Sequence, residues 1–238
     1  MVRGASPGGG RRARLEASWT TRPSTEAFTM LHGYSDRINH ALAFAAKHND
    51  REVRKYMRLP YGTHAANVAI ILTKYGQDEQ TIVAGILQDV VADSIRDRHT
   101  REMLDQRIAD KFGAGALETA LAVTVRLTDD DGVDLSLEER KADFLNRLKA
   151  APEPARWVCA ADAIHTAGTI LADLKRTIDP ESVWGRFQWG KNGTIRWYHR
   201  LYERLLEEGF AAPIMQEFGH VVNLLEQLEQ PNASASRI

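Results

Sequence analysis

The sequence predicts an all-α helical bundle, and three observations predict it. Apolar residues recur at helical spacing in one segment after another, starting with Ile38, Ala41, Leu42 and Ala45. No strand of convincing length and no internal repeat can be read along the chain. A length of 238 residues suits one large helical domain. The divisions read as a disordered basic tail over 1–28, a helical domain over 29–230 and a flexible tail over 231–238.

Each element has its own signal. The first helix spans Asp36 to Lys47, and a basic loop with Arg51, Arg54, Lys55 and Arg58 follows, closed by Pro60 and Gly62. His64 opens a helix with Ala65, Val68, Ala69, Ile71 and Leu72 inward, ended near Gly76. Asp78 caps the next, which carries Ile82, Val83, Ile86, Leu87, Val90 and Val91 and is apolar almost all round, as a central buried helix would be. Thr100 caps a helix with Met103, Leu104 and Ile108, punctuated by Gly113 and Gly115, and another helix covers Leu117 to about Val125. The acidic turn Asp129–Gly132 lacks calcium-loop spacing and reads as a surface loop. Ser136 and Glu139 form a capping box ahead of Phe144, Leu145 and Leu148. Pro152 and Pro154 separate that helix from the apolar one over Ala155 to Leu174. Trp184, Phe187 and Trp189, interleaved with Arg186 and Lys191, either plug one bundle end or stack a base and hold phosphate. Amphipathic helices over Thr194–Glu208 and Pro213–Gln230 complete the chain.

Bulk properties exclude several function classes. The chain is 43% hydrophobic and 26% charged with a formal net charge of −1, so no global field favours nucleic acid or an anionic membrane. The single cysteine, Cys159, excludes an intrachain disulfide framework and a Cys-rich zinc site, and its apolar surroundings read as core. No apolar run is long enough to span a bilayer, and the beginning of the chain lacks an apolar signal core. A cytoplasmic protein is expected, and a homo-oligomer stays open.

Polar residues inside apolar helices mark the candidate site. Asp89 and Asp93 stand four residues apart, hence on one face, at the end of the most apolar helix. On spacing alone, a helix end entering solvent explains that pair equally well. Asp162 sits in an almost wholly apolar segment, where a lone carboxylate is costly, so it needs a cation, a metal or several donors. His165 and Thr166 follow one turn later on the same face.

The Arg54–Lys55 pair, PYGTHAANVAIIL, AGILQDVVADS, KFGAGALETALAVT and AADAIHTAGTIL, in that order, resemble the HD-domain phosphohydrolases, specifically small alarmone hydrolases like the RelA/SpoT hydrolase domain. The resemblance covers roughly Tyr34 to Leu205 and implies an HD-domain helical bundle. It implies one divalent metal, usually manganese, with His64, Gln88, Asp89 and Asp162 at the ligand positions. It puts Asp93 where an acidic residue activates the attacking water, and Arg54, Lys55, Thr166 and Thr169 on the substrate side. The implied ligand is a phosphorylated, nucleotide-like small molecule, and the implied reaction is cleavage of the 3′-pyrophosphate of guanosine tetra- and pentaphosphate.

The departures fall at the chemistry. Gln88 stands where the family has a ligand His, Ala92 where it has a Glu, Thr166 where it has an Asn, and Ala163 where an Arg or Lys is usual. An amide oxygen is a poorer transition-metal ligand than an imidazole, and alanine offers no base. Three readings stay open. One is a weakened metal phosphohydrolase using His64, Asp89 and Asp162. Another is a sensor that binds a nucleotide without turnover. The last is a metal-independent enzyme of small-molecule biosynthesis in which Asp89, Asp93, Asp162 or His165 serves as acid or base.

Overall fold

Ten helices account for most of the described residues, which are 34–48, 60–96 and 101–229 of this computed structural model. They are α1 Asp36–His48, α2 Tyr61–Lys74, α3 Glu79–Arg96, α4 Arg101–Phe112, α5 Ala114–Ala122, α6 Leu137–Lys149, α7 Glu153–Arg176, α8 Glu181–Trp184, α9 Gly190–Glu207 and α10 Ile214–Glu229. The described residues contain no strand, only one isolated bridge between Thr128 and Asp134. The two tails, the basic loop with Arg54 and Lys55, and the Thr100 cap lie outside the described residues.

α3 is the centre. Val83, Ala84, Leu87, Val90 and Val91 have no exposed surface, and the helix packs against α1, α2, α4, α5 and α7. Its start is fixed by Asp78, whose carboxylate accepts from Thr81 N at 2.8 Å. α2 crosses it at Gly85, where an added Cβ would stand 2.7 Å from Leu72 Cδ1 and 3.0 Å from Val68 Cγ1. α2 stops at a left-handed Gly76, with Gly76 N bonded to Thr73 O and Gln77 N to Leu72 O, a Schellman ending. Arg37 on α1 pairs with Glu79 at the head of α3 and donates to the Phe112 carbonyl at the tail of α4.

Elsewhere the boundaries move for identifiable reasons. α5 runs Ala114–Ala122 rather than Leu117 to Val125. Gly113, at φ 86°, both ends α4 and opens α5. Gly115 does not punctuate the chain; it lies inside α5, where a Cβ would meet the Gln80 side chain at 2.6 Å. α5 ends early because Arg147 of α6 donates to the Ala122 and Thr124 carbonyls, and the Thr124 hydroxyl donates to Ala120 O. α2 starts at Tyr61, three residues before His64, from an extended Pro60. The capping box at Ser136 is present in both halves. The acidic turn is a local loop in which the Asp129 carboxylate accepts from the Asp131 and Val133 amides.

α10 docks on α7 and α9. Glu217 on α10 accepts from Lys74 Nζ at 2.5 Å and Tyr75 Oη at 2.7 Å at the end of α2. The Lys74 ammonium first, then the Tyr75 hydroxyl, hold the Glu217 carboxyl below its ordinary value of 4.5. A lowered folded value means the contribution is complete above the unfolded value and disappears as pH falls through the folded one. Glu217→Gln is therefore expected to lower stability throughout pH 7–9 and to flatten the acid limb, so that the two proteins converge below about pH 5; denaturant melts across that range check this. At the α2–α3 crossing, Gly85→Val is expected to cost about 1–3 kcal/mol, with Leu72→Ala in the same chain recovering part of it. Additive losses in urea melts would contradict the close approach.

Candidate functional site

His64 comes from α2, Gln88 and Asp89 from α3, and Asp162 and His165 from α7. The apolar remainder of each helix forces these side chains together, since none has another polar environment inside the core. His64 is 1% exposed, Gln88 7% and Asp89 half-buried, while Asp162 opens further toward solvent. His64 Nε2 lies 2.9 Å from Asp162 Oδ1 and 3.8 Å from Asp89 Oδ2. Gln88 Nε2 donates to the same Asp162 oxygen at 3.2 Å and stands 3.3 Å from His64 Nε2. Asp162, the carboxylate in an apolar helix, thus collects donors from two other helices.

The second ring nitrogen of His64 meets His165. The two Nδ1 atoms are 2.8 Å apart and the rings sit edge to face at 4.8 Å between centroids. That contact accommodates one proton. With His64 Nε2–H given to Asp162, neutral His64 accepts at Nδ1 and His165 donates. The result is a continuous hydrogen-bonded chain, Asp162–His64–His165.

The other expected residues are placed as follows. Thr166 is half-buried one turn beyond Asp162 on α7. The Thr169 hydroxyl donates to the His165 carbonyl at 2.8 Å, so its hydrogen is committed to its own helix. Asp93 belongs to α3, but its side chain lies outside the described set, as do Arg54 and Lys55. Cys159 is buried core, and burial pushes its thiol far above the ordinary range, which rules out a resting thiolate.

Gln88, Asp89 and Asp162 also line a cavity of about 360 Å³. Its walls are Val123, Thr124 and Val125 after α5, Leu137 and Phe144 of α6, and the indoles of Trp189 and Trp197. Arg140 and Lys141 of α6 project into it as well. These two cations were not among the residues singled out from sequence. A signal was present: Lys141 stands three and four residues before Phe144 and Leu145, inside the apolar stripe of α6, where a lysine has no reason to be. Trp184 is 3% exposed and pairs with Phe187 as bundle-end packing, whereas Trp189 belongs to the cavity wall.

The donors around His64 Nε2 suit a divalent cation in kind: an imidazole, two carboxylates and an amide. Their separations of 2.9, 3.3 and 3.8 Å resemble those between ligands bonded to one ion at about 2.1 Å each. As placed, His64 Nε2 is turned onto Asp162, and the described residues contain no ready cage of three His, Cys, Asp or Glu side chains.

Comparison with known proteins agrees with the architecture. Residues 41–173 match the family model of the HD domain. A GTP pyrophosphokinase of Myxococcus xanthus is 28% identical over 138 residues, 57% of this chain, but the match spans only 17% of that relative's length. The crystal structure of lmo0812 from Listeria monocytogenes EGD-e superposes with a TM-score of 0.54 at 25% identity, covering 70% of this chain and 97% of that one. A metazoan ortholog of SpoT, described as hydrolysing ppGpp, superposes with a TM-score of 0.60 at 22% identity, covering 80% and 96%. No helix among the described residues is long and apolar enough to cross a membrane.

Proposed function

The chain belongs to the HD domain family, and from that membership we propose that it acts on a phosphorylated, nucleotide-like small molecule whose reacting phosphoryl group faces the His64–Gln88–Asp89–Asp162 cluster. The carrying observation is that three members of this cluster, Gln88, Asp89 and Asp162 from two helices, line a cavity whose wall also bears Arg140 and Lys141, with His64 buried behind them against Asp162. The likeness to a ppGpp-hydrolysing structure supports guanosine 3′,5′-bis(diphosphate) as the first substrate to try.

Each residue has a task in this reading. Asp162 orients His64 through the 2.9 Å contact, and Gln88 steadies the same carboxylate. Asp89, half-buried beside them, keeps the local potential negative, which favours a cation or a proton between the cluster and a phosphoryl oxygen. Asp93, one turn after Asp89 on α3, positions the attacking water. Arg54 and Lys55 hold substrate phosphates in this reading, and Thr166 and Thr169 of α7 contribute on the substrate side. A divalent cation, manganese by the resemblance, would be held by His64, Asp89, Asp162 and the Gln88 amide oxygen, and would supply Lewis-acid polarisation of the phosphoryl group. With an amide replacing an imidazole, that ion would be bound weakly.

The hydrogen-bonded chain through His165 favours a second reading. Asp162, His64 and His165 are already linked, an arrangement able to move a proton without a metal. Activity that persists in chelator and falls with His165→Ala would select it.

Two outcomes are expected. Asp162→Asn should lower phosphate or pyrophosphate release from guanosine 3′,5′-bis(diphosphate) by about a hundredfold or more, in a fold unchanged by circular dichroism; unaltered turnover would sink the assignment. Gln88→His should tighten manganese binding by roughly 10–100-fold, read as metal-dependent thermal stabilisation independent of any turnover, and Gln88→His with Ala92→Glu should raise hydrolysis above the unaltered chain.

A further inference from the structure

The Lys141 ammonium is the least expected group in the core. The residue is only 8% exposed, a low value for a lysine. What it meets is aromatic: Nζ lies 3.1 Å from the centroid of Trp189 and 5.4 Å from that of Trp197. Burial pushes its amine below the ordinary value; Glu138 opposes that, and Arg200 and Arg196 add to it. A buried cation beside further cations is a standing cost. Two indole faces steady the ammonium while leaving its charge unneutralised, which a carboxylate partner would not do.

Two more donors at the same wall are unspent. Arg140 Nε and Trp189 Nε1 are both buried without a hydrogen-bond partner. Both residues line the same cavity as Gln88, Asp89 and Asp162. Buried N–H groups are nearly always satisfied, so orphaned donors of two residues beside an unneutralised lysine ask for an acceptor-rich group. Lys141 Nζ occupies one face of Trp189 and so closes that face to a stacked base. Trp189 and Trp197 lie beyond the residues matched by the HD domain model, so α9 and the turn before it supply the aromatic half.

We propose that Arg140, Lys141 and Trp189 form an oxyanion subsite that takes a phosphate or diphosphate group of the ligand on the wall that α6 and Trp189 give this cavity. The inference deepens the reading of the cavity as a phosphorylated-ligand site, but it rests on the unspent donors and survives if no hydrolysis is found. Charge-assisted bonds to phosphate are strong and directional enough to fix which end of the molecule faces the acidic cluster.

The test uses the full chain and inorganic pyrophosphate in the presence of chelator, with binding read by calorimetry and by quenching of tryptophan fluorescence. The unaltered protein is expected to bind. Lys141→Met is expected to weaken binding by about tenfold or more, and Lys141→Arg, which keeps the charge, to hold within a few-fold. Asp162→Asn is expected to retain pyrophosphate binding. Unaltered affinity in a folded Lys141→Met, or no binding by the unaltered chain, overturns the subsite. Loss of binding in Asp162→Asn but not in Lys141→Met places pyrophosphate at the acidic cluster and likewise overturns it. Turnover in Asp162→Asn, measured separately, bears on the proposed reaction alone.

Discussion

The enclosure of α3 is the constraint on which everything else depends. A helix surrounded by five others has no solvent face on which to leave a polar side chain. Gln88 and Asp89 therefore have to be answered from inside the bundle, and the answer comes from α2 as His64 and from α7 as Asp162. The same pressure brings the helices close. Only a glycine at position 85 lets α2 approach at the Leu72 crossing, and that approach carries His64, eight residues earlier on α2, over the end of α3. Packing and chemistry are thus one problem in this chain. The polar cluster exists because three apolar helices are wedged together, and it is held by Asp162, which His64 and Gln88 both reach, while Asp89 Oδ2 stands 3.8 Å from His64, beyond hydrogen-bond distance.

Much of this was legible in the sequence where a local rule governs. Asp78, Ser136 with Glu139, and Gly76 announce helix ends through bonds made within a few residues, and each makes them. Asp162 announced itself by contrast with its neighbours, since a carboxylate among alanines and isoleucines must be answered. What was not legible depends on distant partners. α5 ends at Ala122 because Arg147, twenty-five residues on, takes its carbonyls. Gly115 stays helical because it faces Gln80. The role of Trp189 separates from that of Trp184 only once α6 and α9 are side by side, since the two indoles look alike in a run of aromatic and basic residues. Lys141 was the readable exception, a charge set inside an apolar stripe.

The cavity wall carries both signs, Asp89 and Asp162 together with Arg140 and Lys141, within about 360 Å³. In a partly enclosed space such charges are screened far less than at an open surface. A ligand carrying one cation-seeking end and one anionic end would be oriented before any close contact formed. A ligand with negative charge at both ends would need a proton or a cation beside the two carboxylates. Hydrolysis of a phosphate ester has that same need, since charge builds on phosphoryl oxygens.

The replacement of a ligand imidazole by Gln88 then acquires a physical sense. A side-chain amide cannot become charged and can donate as well as accept. Here it donates to Asp162 at 3.2 Å, which steadies a carboxylate that is already bonded to His64. The three side chains thus form a network made wholly of protein groups. Such a network ties the start of α2 to the middle of α3 and of α7, and the 2.8 Å His64–His165 contact extends it along α7. The bundle would then be kept by its packing, and the chemistry of the site set by how strongly a ligand at Lys141 draws a cation or a proton to Asp89 and Asp162.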